Sequence, residues 1–364
     1  MRNRAIWLLL GLSMAVLACG APSGAAKPSG APAGAASAPS AVSTTSGAAQ
    51  PAARPAPMPQ RMVTGVVSLS SAPVAVARAK GFFAEDGVDL DWQLVQGGAA
   101  AVAALSGGDA QFAEGGASDI IGLNSRNLPV LGVISLANRI FFDTIVAKQY
   151  MAAKGVTPQS PLQQRVQALK GAKMGVSSVG GTPDRLGRWL MTQGGLQPDD
   201  VESIRVGNVS EIRTALRQGL IDGTLSAPPT GPQLEREEIG VVLIKHSEIP
   251  EFAAYPNNMF YVTKSYMDQN REAIERMGRA TTRGAAFIHD NTAEAKQILQ
   301  ADFKDVDPEV LSLSVDLTKE AYPRDGKMTQ AMWNNAMKVL TESGAIPRAL
   351  DTAEGVLWTN QFLK

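Results

Sequence analysis

Beyond residue 60 the chain alternates short apolar runs with longer stretches whose apolar residues recur every three or four positions. The first pattern predicts strands, the second helices packed on a core. Met62 to Ser68 reads as a strand, Leu69 to Pro73 as a loop, Val74 to Phe83 as a helix and Val88 to Val95 as a second strand. Gly81 and Gly87 punctuate the joints. Strand, helix and strand this closely spaced make a βαβ unit, which implies a parallel sheet. Gln96-Gly97-Gly98 then opens an Ala-rich helix to about Leu105. Gln111 to Ala113 is a brief strand that runs into Glu114-Gly115-Gly116-Ala117-Ser118-Asp119 and a further helix.

Val130 to Ser135 and Phe142 to Ala147 are apolar strands, the second leaving a first lobe, and Pro158 to Lys170 is a linker with a helix. A second βαβ series starts at Lys173. Its first strand enters a loop with Ser177, Ser178, Gly180 and Gly181, followed by Thr182 as a candidate N-cap, Pro183 at the first helical position, Asp184 and Arg185. A helix start of this kind offers free N–H groups and the positive end of the macrodipole to an anion. The same residues also suit an ordinary capped helix, so position has to decide. Ile204 to Val206 leads into Gly207-Asn208 and a helix to about Gln218, and Leu220 to Leu225 enters Ser226-Ala227-Pro228-Pro229.

Ala104-Leu105-Ser106-Gly107-Gly108-Asp109-Ala110-Gln111 aligns with Ala215-Leu216-Arg217-Gln218-Gly219-Leu220-Ile221-Asp222 in matching context, which suggests two lobes of similar construction. Past residue 240, Val241 to Ile244 and Asn258 to Thr263 are strands. Helical periodicity then covers Asn270 to Asp290, Thr292 to Phe303, Pro308 to Lys319, Thr329 to Ser343 and Thr352 to Leu363, with Trp333 and Trp358 as core residues.

Composition changes this picture mainly at the beginning of the chain. Arg2 and Arg4, an apolar run from Ala5 to Leu17 and Val16-Leu17-Ala18 before Cys19 read as an export signal too short for a lasting membrane span. The sequence also resembles a bacterial lipobox, in which Cys19, the only cysteine, would carry the lipid; a plain secretory signal is the alternative. Residues 19–60 are Ala, Pro, Ser, Gly and Thr with almost no large apolar residue, a tether that cannot bury enough surface to order itself. The 34 basic residues balance the 34 acidic ones, but four of the bases precede residue 61 with no acid among them. The folded part is therefore slightly acidic, which excludes the basic face that nucleic acid requires.

Several stretches carry a family resemblance. Ala72-Pro73-Val74 before Ala79-Lys80-Gly81-Phe82-Phe83, then Glu85-Asp86-Gly87-Val88-Asp89-Leu90, the two ALxxG units and Leu169-Lys170-Gly171-Ala172-Lys173-Met174-Gly175-Val176 resemble the substrate-binding proteins of ABC importers for nitrate, sulfonates, taurine and thiamine-precursor pyrimidines. The resemblance covers about residues 62 to 300 and rests on the order of the motifs. It implies an α/β, type II periplasmic binding protein fold: two lobes with mixed, mostly parallel sheets, two hinge crossings and extra C-terminal helices. Lobe I would be residues 61–144 plus 254–364 and lobe II residues 145–253, after a signal at 1–18 and the tether at 19–60. The loop Ser226-Ala227-Pro228-Pro229 departs from the Trp/Glu-Pro type usual in the family, so the ligand class does not transfer.

The chemistry points to binding. No Walker loop, zinc spacing or nucleophile elbow is present, and His246 and His289 suit solvated or capping roles; no catalytic residue, metal or cofactor is expected. The expected ligand-binding set is Ser70, Ser71, Gly97, Gly116, Ser118, Arg139, Ser177, Ser178, Gly181, Thr182, Arg185, Asn208 and Ser226: small hydroxyls, open backbone and two guanidiniums at strand ends. Phe141, Phe142 and Tyr255 would flank an apolar part of the ligand or pack in the core. The expectation is a monomeric, lipid-anchored receptor of the periplasm or cell surface that closes over a small anionic organic solute, a sulfonate or carboxylate, and delivers it to ABC permease subunits. The alternatives are a cofactor-precursor enzyme of the same fold and a lipoprotein that passes its ligand signal to a signalling partner.

Overall fold

The computed structural model describes residues 56–95 and 98–364. The expected export signal, Cys19, most of the expected tether and Gly97 lie outside that range. The first strand, β1 (Met58–Thr64), begins earlier than the apolar pattern suggests and takes three residues from the expected tether. Pro59 hides it in sequence because proline donates nothing to a ladder. Here β1 pairs with β2 along its length but meets β3 only from Met62 on, so among the described residues no strand pairs with Pro59 on its other side.

The first series continues with α1 (Ala72–Ala79), α2 (Phe82–Glu85), β2 (Val88–Leu94), α3 (Gly98–Gly107), β3 (Phe112–Gly115), α4 (Ala117–Asn124) and β4 (Val130–Ala137). The chain then crosses to β5 (Asp143–Ala147), α5 (Lys148–Lys154) and α6 (Leu162–Gln167). The second series is β6 (Lys173–Val176), α7 (Thr182–Gln193), β7 (Glu202–Arg205), α8 (Val209–Arg217), β8 (Gly223–Ser226), α9 (Thr230–Arg236) and β9 (Gly240–Lys245). A return crossing leads to β10 (Asn258–Thr263), α10 (Lys264–Gln269), α11 (Arg271–Asp290), α12 (Thr292–Gln300), α13 (Pro308–Thr318) and α14 (Gln330–Glu342).

Two sheets result, in the orders β2-β1-β3-β10-β4 and β7-β6-β8-β5-β9. Each has three parallel strands from its own βαβ series, and each receives one antiparallel strand, β10 or β5, supplied after a crossing. The faint ALxxG repeat thus marks a real correspondence: Gly108 and Gly219 both leave a helix with positive φ and lead to the central strands β3 and β8. Glycine adopts that backbone without strain, which accounts for a glycine at both positions.

The crossings run antiparallel and bond to each other, with Ile140 N donating to Phe252 O at 2.9 Å and Tyr255 N to Asn138 O at 3.0 Å. Gly284 lets α11 lie directly on α1, since a Cβ there would strike Pro73 O and Ala77. The expected helix at 352–363 does not form. Gly132 N donates to Leu357 O at 2.9 Å and Thr359 N to Gly132 O at 3.0 Å, so this segment extends the edge of β4. Trp358 thereby stacks on the fully buried Trp333, with centroids 6.3 Å apart. The apolar spacing reflected one-sided burial, which an extended segment satisfies as well as a helix. Among the described residues no helix is long and apolar enough to cross a membrane.

Candidate functional site

In the first sheet β1, β3 and β4 end, and the antiparallel β10 starts, on the same side. In the second sheet the ends of β6, β8 and β9 and the start of β5 likewise share one side. Because the crossings connect β4 to β5 and β9 to β10, these two sides face each other. This is where open α/β sheets place their ligands.

On the first sheet, Ser70 and Ser71 lie buried in a 3₁₀ turn after β1. The Ser71 hydroxyl donates to Glu114 Oε1, which also accepts from Asn258 Nδ2 at 2.5 Å. Gly116 is the N-cap of α4, and its N–H donates to Asp119 Oδ2 at 2.9 Å. Ser118, in the first turn of α4, is fully buried with its Oγ 3.3 Å from Tyr255 OH.

On the second sheet the helix after β6 starts one residue earlier than a Thr182 cap requires. Gly181 is the N-cap, Thr182 the first helical residue and Pro183 the second. The loop provides its own anion: Asp184, 1% exposed, accepts from Gly180 N at 2.7 Å, Arg188 Nε at 3.1 Å and Ser203 Oγ at 2.5 Å. One loop N–H is therefore already used, while Ser177 and Ser178 remain half-buried. Arg185 bends back so that Nε donates to Gly180 O at 2.5 Å.

Thr182 and Arg185 reach the first sheet. A Cβ at Gly116 would lie 2.5 Å from Thr182 Oγ1 and 2.6 Å from Asn257 O, so only glycine fits between them. The Arg185 guanidinium lies against Gly122 of α4, where a Cβ would sit 3.2 Å from Nη2. Its charge also acts on Asp119. Burial raises the Asp119 carboxyl above the ordinary aspartate value, while the Gly116 N–H and Arg185 pull it back. Burial likewise raises Glu114 against the hydrogen bonds from Ser71 and Asn258.

The structure thus brings together Gly116, Ser118, Thr182 and Arg185, with Ser70 and Ser71 beside Glu114 and with Ser177, Ser178 and Gly181 on the loop leading into α7. Ser226 sits at the end of β8 with its Oγ 2.8 Å from Thr230 Oγ1. Two expected residues are placed otherwise. Arg139 is exposed on the crossing, and Asn208 is an N-cap on the edge-strand side, its Oδ1 accepting from Glu211 N at 3.0 Å. Phe141 and Tyr255 are core residues, Phe141 packing edge-on to Tyr322 at 6.4 Å and Tyr255 on Phe252 at 6.3 Å.

Sequence reasoning missed Glu114, Asp119 and Asn257. Glu114 and Asp119 bracket the Gly115-Gly116 pair, and a carboxylate three residues after an uncapped glycine was the available signal. Asn257 Nδ2 and Oδ1, Arg185 Nη1 and Glu114 Oε2 are buried and make no hydrogen bond among the described residues. Such atoms are uncommon in native interiors. Among the described residues no group of three or more His, Cys, Asp or Glu side chains could hold a metal ion. His246 is fully buried, with Nε2 3.0 Å from Thr144 Oγ1. The His289 Nε2 lies 2.9 Å from Tyr322 O.

Two sheets of matching order, joined by paired crossings with their strand ends opposed, define a two-lobed α/β fold. Solved structures agree: the alkanesulfonate-binding protein SsuA from Xanthomonas axonopodis pv. citri bound to MOPS superposes with a TM-score of 0.64 at 13% identity, covering 82% of this chain and 96% of that one. The fold is that of the periplasmic binding proteins. Residues 68–295 match the family described as NMT1/THI5 like, and the chain belongs to that family. It is 22% identical over 287 residues to YtlA of Bacillus subtilis (strain 168), covering 77% of this chain and 82% of that protein. It is also 26% identical over 220 residues to the taurine-binding periplasmic protein of Escherichia coli (strain K12), covering 60% and 63% respectively.

Proposed function

We propose that the protein is the extracytoplasmic solute receptor of an ABC importer, which closes its lobes over a small organic molecule with an anionic group and delivers it to the permease. The observation that carries this reading is the set of buried, unpaired polar atoms at the facing strand ends, Arg185 Nη1 and Asn257 Nδ2 and Oδ1 among them, in a chain of the NMT1/THI5-like family. Relatives named for taurine and alkanesulfonate binding support the solute class. In this reading lobe I is built on the first sheet, residues 58–137 plus 258–364, and lobe II on the second, residues 143–245, with the crossings between them. The anionic group faces Arg185, Thr182 and the Ser177–Ser178 loop. A ligand shifts such a protein toward closure only through contacts made to both lobes at once. We further propose export as a monomer anchored through lipidated Cys19.

Native mass spectrometry of the purified protein, followed by calorimetry with the solute found, tests this directly. Ser178→Ala with Thr182→Ala is expected to weaken binding by about 10-fold or more, since each removes a hydroxyl from a desolvated polar site. Unchanged affinity would remove these residues from the site. Cys19→Ala is expected to release the protein from the membrane fraction and to abolish its labelling by a radioactive fatty acid.

A further inference from the structure

The strand ends of the first sheet hold a carboxyl group without a counter-charge. Glu114 sits near the end of β3, between β1 and β10, at the side facing the second sheet. Its Oε1 takes two donors, Ser71 Oγ and Asn258 Nδ2. Its Oε2 is buried and makes no hydrogen bond among the described residues. The neighbouring Thr64 hydroxyl is directed to Val66 O at 3.0 Å. All the groups that act on Glu114 are neutral, whereas the guanidinium of the site, Arg185, acts on Asp119. Arg139, the other expected cation, is exposed.

Both donors sit on Oε1, which can accept two whether or not Oε2 carries a proton, so it is the buried, partnerless Oε2 that marks the place for an outside group. An ionised carboxylate out of water and held only by neutral donors is costly unless a cation completes it. A ligand bearing only negative charge would bring a further anion to a site that already holds Glu114 and Asp119 against one guanidinium. Resting on the solute-receptor reading, we propose that the ligand is a zwitterion: an ammonium or similar N–H cation bonds Glu114 Oε2, while the anionic end lies toward Arg185 and the Ser177–Thr182 loop. Burial pushes the Glu114 carboxyl up, and a bound cation would draw it back down.

Matched pairs of probes differing only in the amine test the idea: taurine against ethanesulfonate and β-alanine against propionate. Each is applied to the wild-type protein and to Glu114→Gln by thermal shift and calorimetry, with native mass spectrometry of the purified protein alongside. At least one amine-bearing member is expected to bind about 10- to 100-fold more tightly than its deaminated partner. Glu114→Gln is expected to erase that ratio while the unliganded variant melts no lower than wild type. Glutamine also imitates a protonated glutamate, so an anion-only probe that binds as well as its amine partner and is retained by Glu114→Gln overturns the proposal. That result leaves the solute-receptor reading standing. A co-purified solute without a basic nitrogen overturns it in the same way. No bound solute and no shift with any probe overturns both.

Discussion

His246, at the start of the return crossing, makes the stability of the connection between the lobes depend on pH. The ring is fully buried, with Nε2 against Thr144 Oγ1 at 3.0 Å, its Nδ1 unbonded among the described residues and Phe252 5.5 Å away. Burial lowers its pKa from 6.5 to about 3. Between those values the unfolded chain binds a proton that the folded chain refuses, so stability is full above pH 6.5 and is lost as pH falls toward 3. At pH 5 the loss is about 2 kcal/mol, from about 1.4 kcal/mol per unit over about 1.5 units. The adjacent Asp143 works in the opposite direction. Burial raises its carboxyl to about 7, so the folded state holds the extra proton between 3.8 and 7 and stability falls as pH rises through that window. In the wild type the two slopes nearly cancel from pH 4 to 6.5. His246→Gln removes one of them and keeps the backbone N–H that faces Asp143. Urea unfolding followed by tryptophan fluorescence at pH 7.5 and 5.0 should show a gap between variant and wild type that moves by about 2 kcal/mol in favour of the variant at the lower pH. Parallel pH profiles for the two proteins would refute the burial argument, whatever the offset at neutral pH.

Gly284→Ala places a Cβ on Pro73 O and Ala77, so thermal melting should show a loss of about 1–3 kcal/mol as α11 is forced off α1. Asp184→Asn weakens the cap on Gly180 N and leaves Arg188 without its buried partner; about 2 kcal/mol of destabilisation is expected in urea titrations, and an unchanged midpoint would contradict the network. Trp189→Phe removes the 2.9 Å bond from Nε1 to Glu342 Oε2, which ties α7 of the second series to α14. That bond is worth about 1–2 kcal/mol. If α7 and α14 separate when the lobes open, the variant should show a larger radius of gyration by small-angle scattering, and an unchanged value would assign the bond to a static interface.

The class of fold was legible in the chain because its information is local. Period-two and period-three-to-four patterns, the glycines at 81, 87, 108 and 219 and the proline-led helix starts each constrain a few neighbouring residues, and the strand Asn258–Thr263 has the same bounds in pattern and structure. The repeat around Leu105 and Leu216 was legible for the same reason, since a left-handed glycine between helix and strand is a local requirement. Candidate site residues were legible as types: Ser, Gly and Thr at strand ends.

What only tertiary structure decided is which of those groups remain available. The hydroxyl of Ser71 is taken by Glu114, Gly180 N by Asp184 and the Asn208 side chain by a helix end, through partners that periodicity does not register. Thr182 and Gly116, 66 positions apart in the numbering, meet only because two sheets with the same strand order face each other across paired crossings. The segment around Trp358 became an edge of β4 rather than a helix because the open side of that strand and the face of Trp333 were there to cover, and both are made by distant parts of the chain. Charge balance in the cleft belongs to the same category. The sequence displayed Glu114 and Arg185, and the fold set one at a buried strand end without a cation and turned the other toward Asp119.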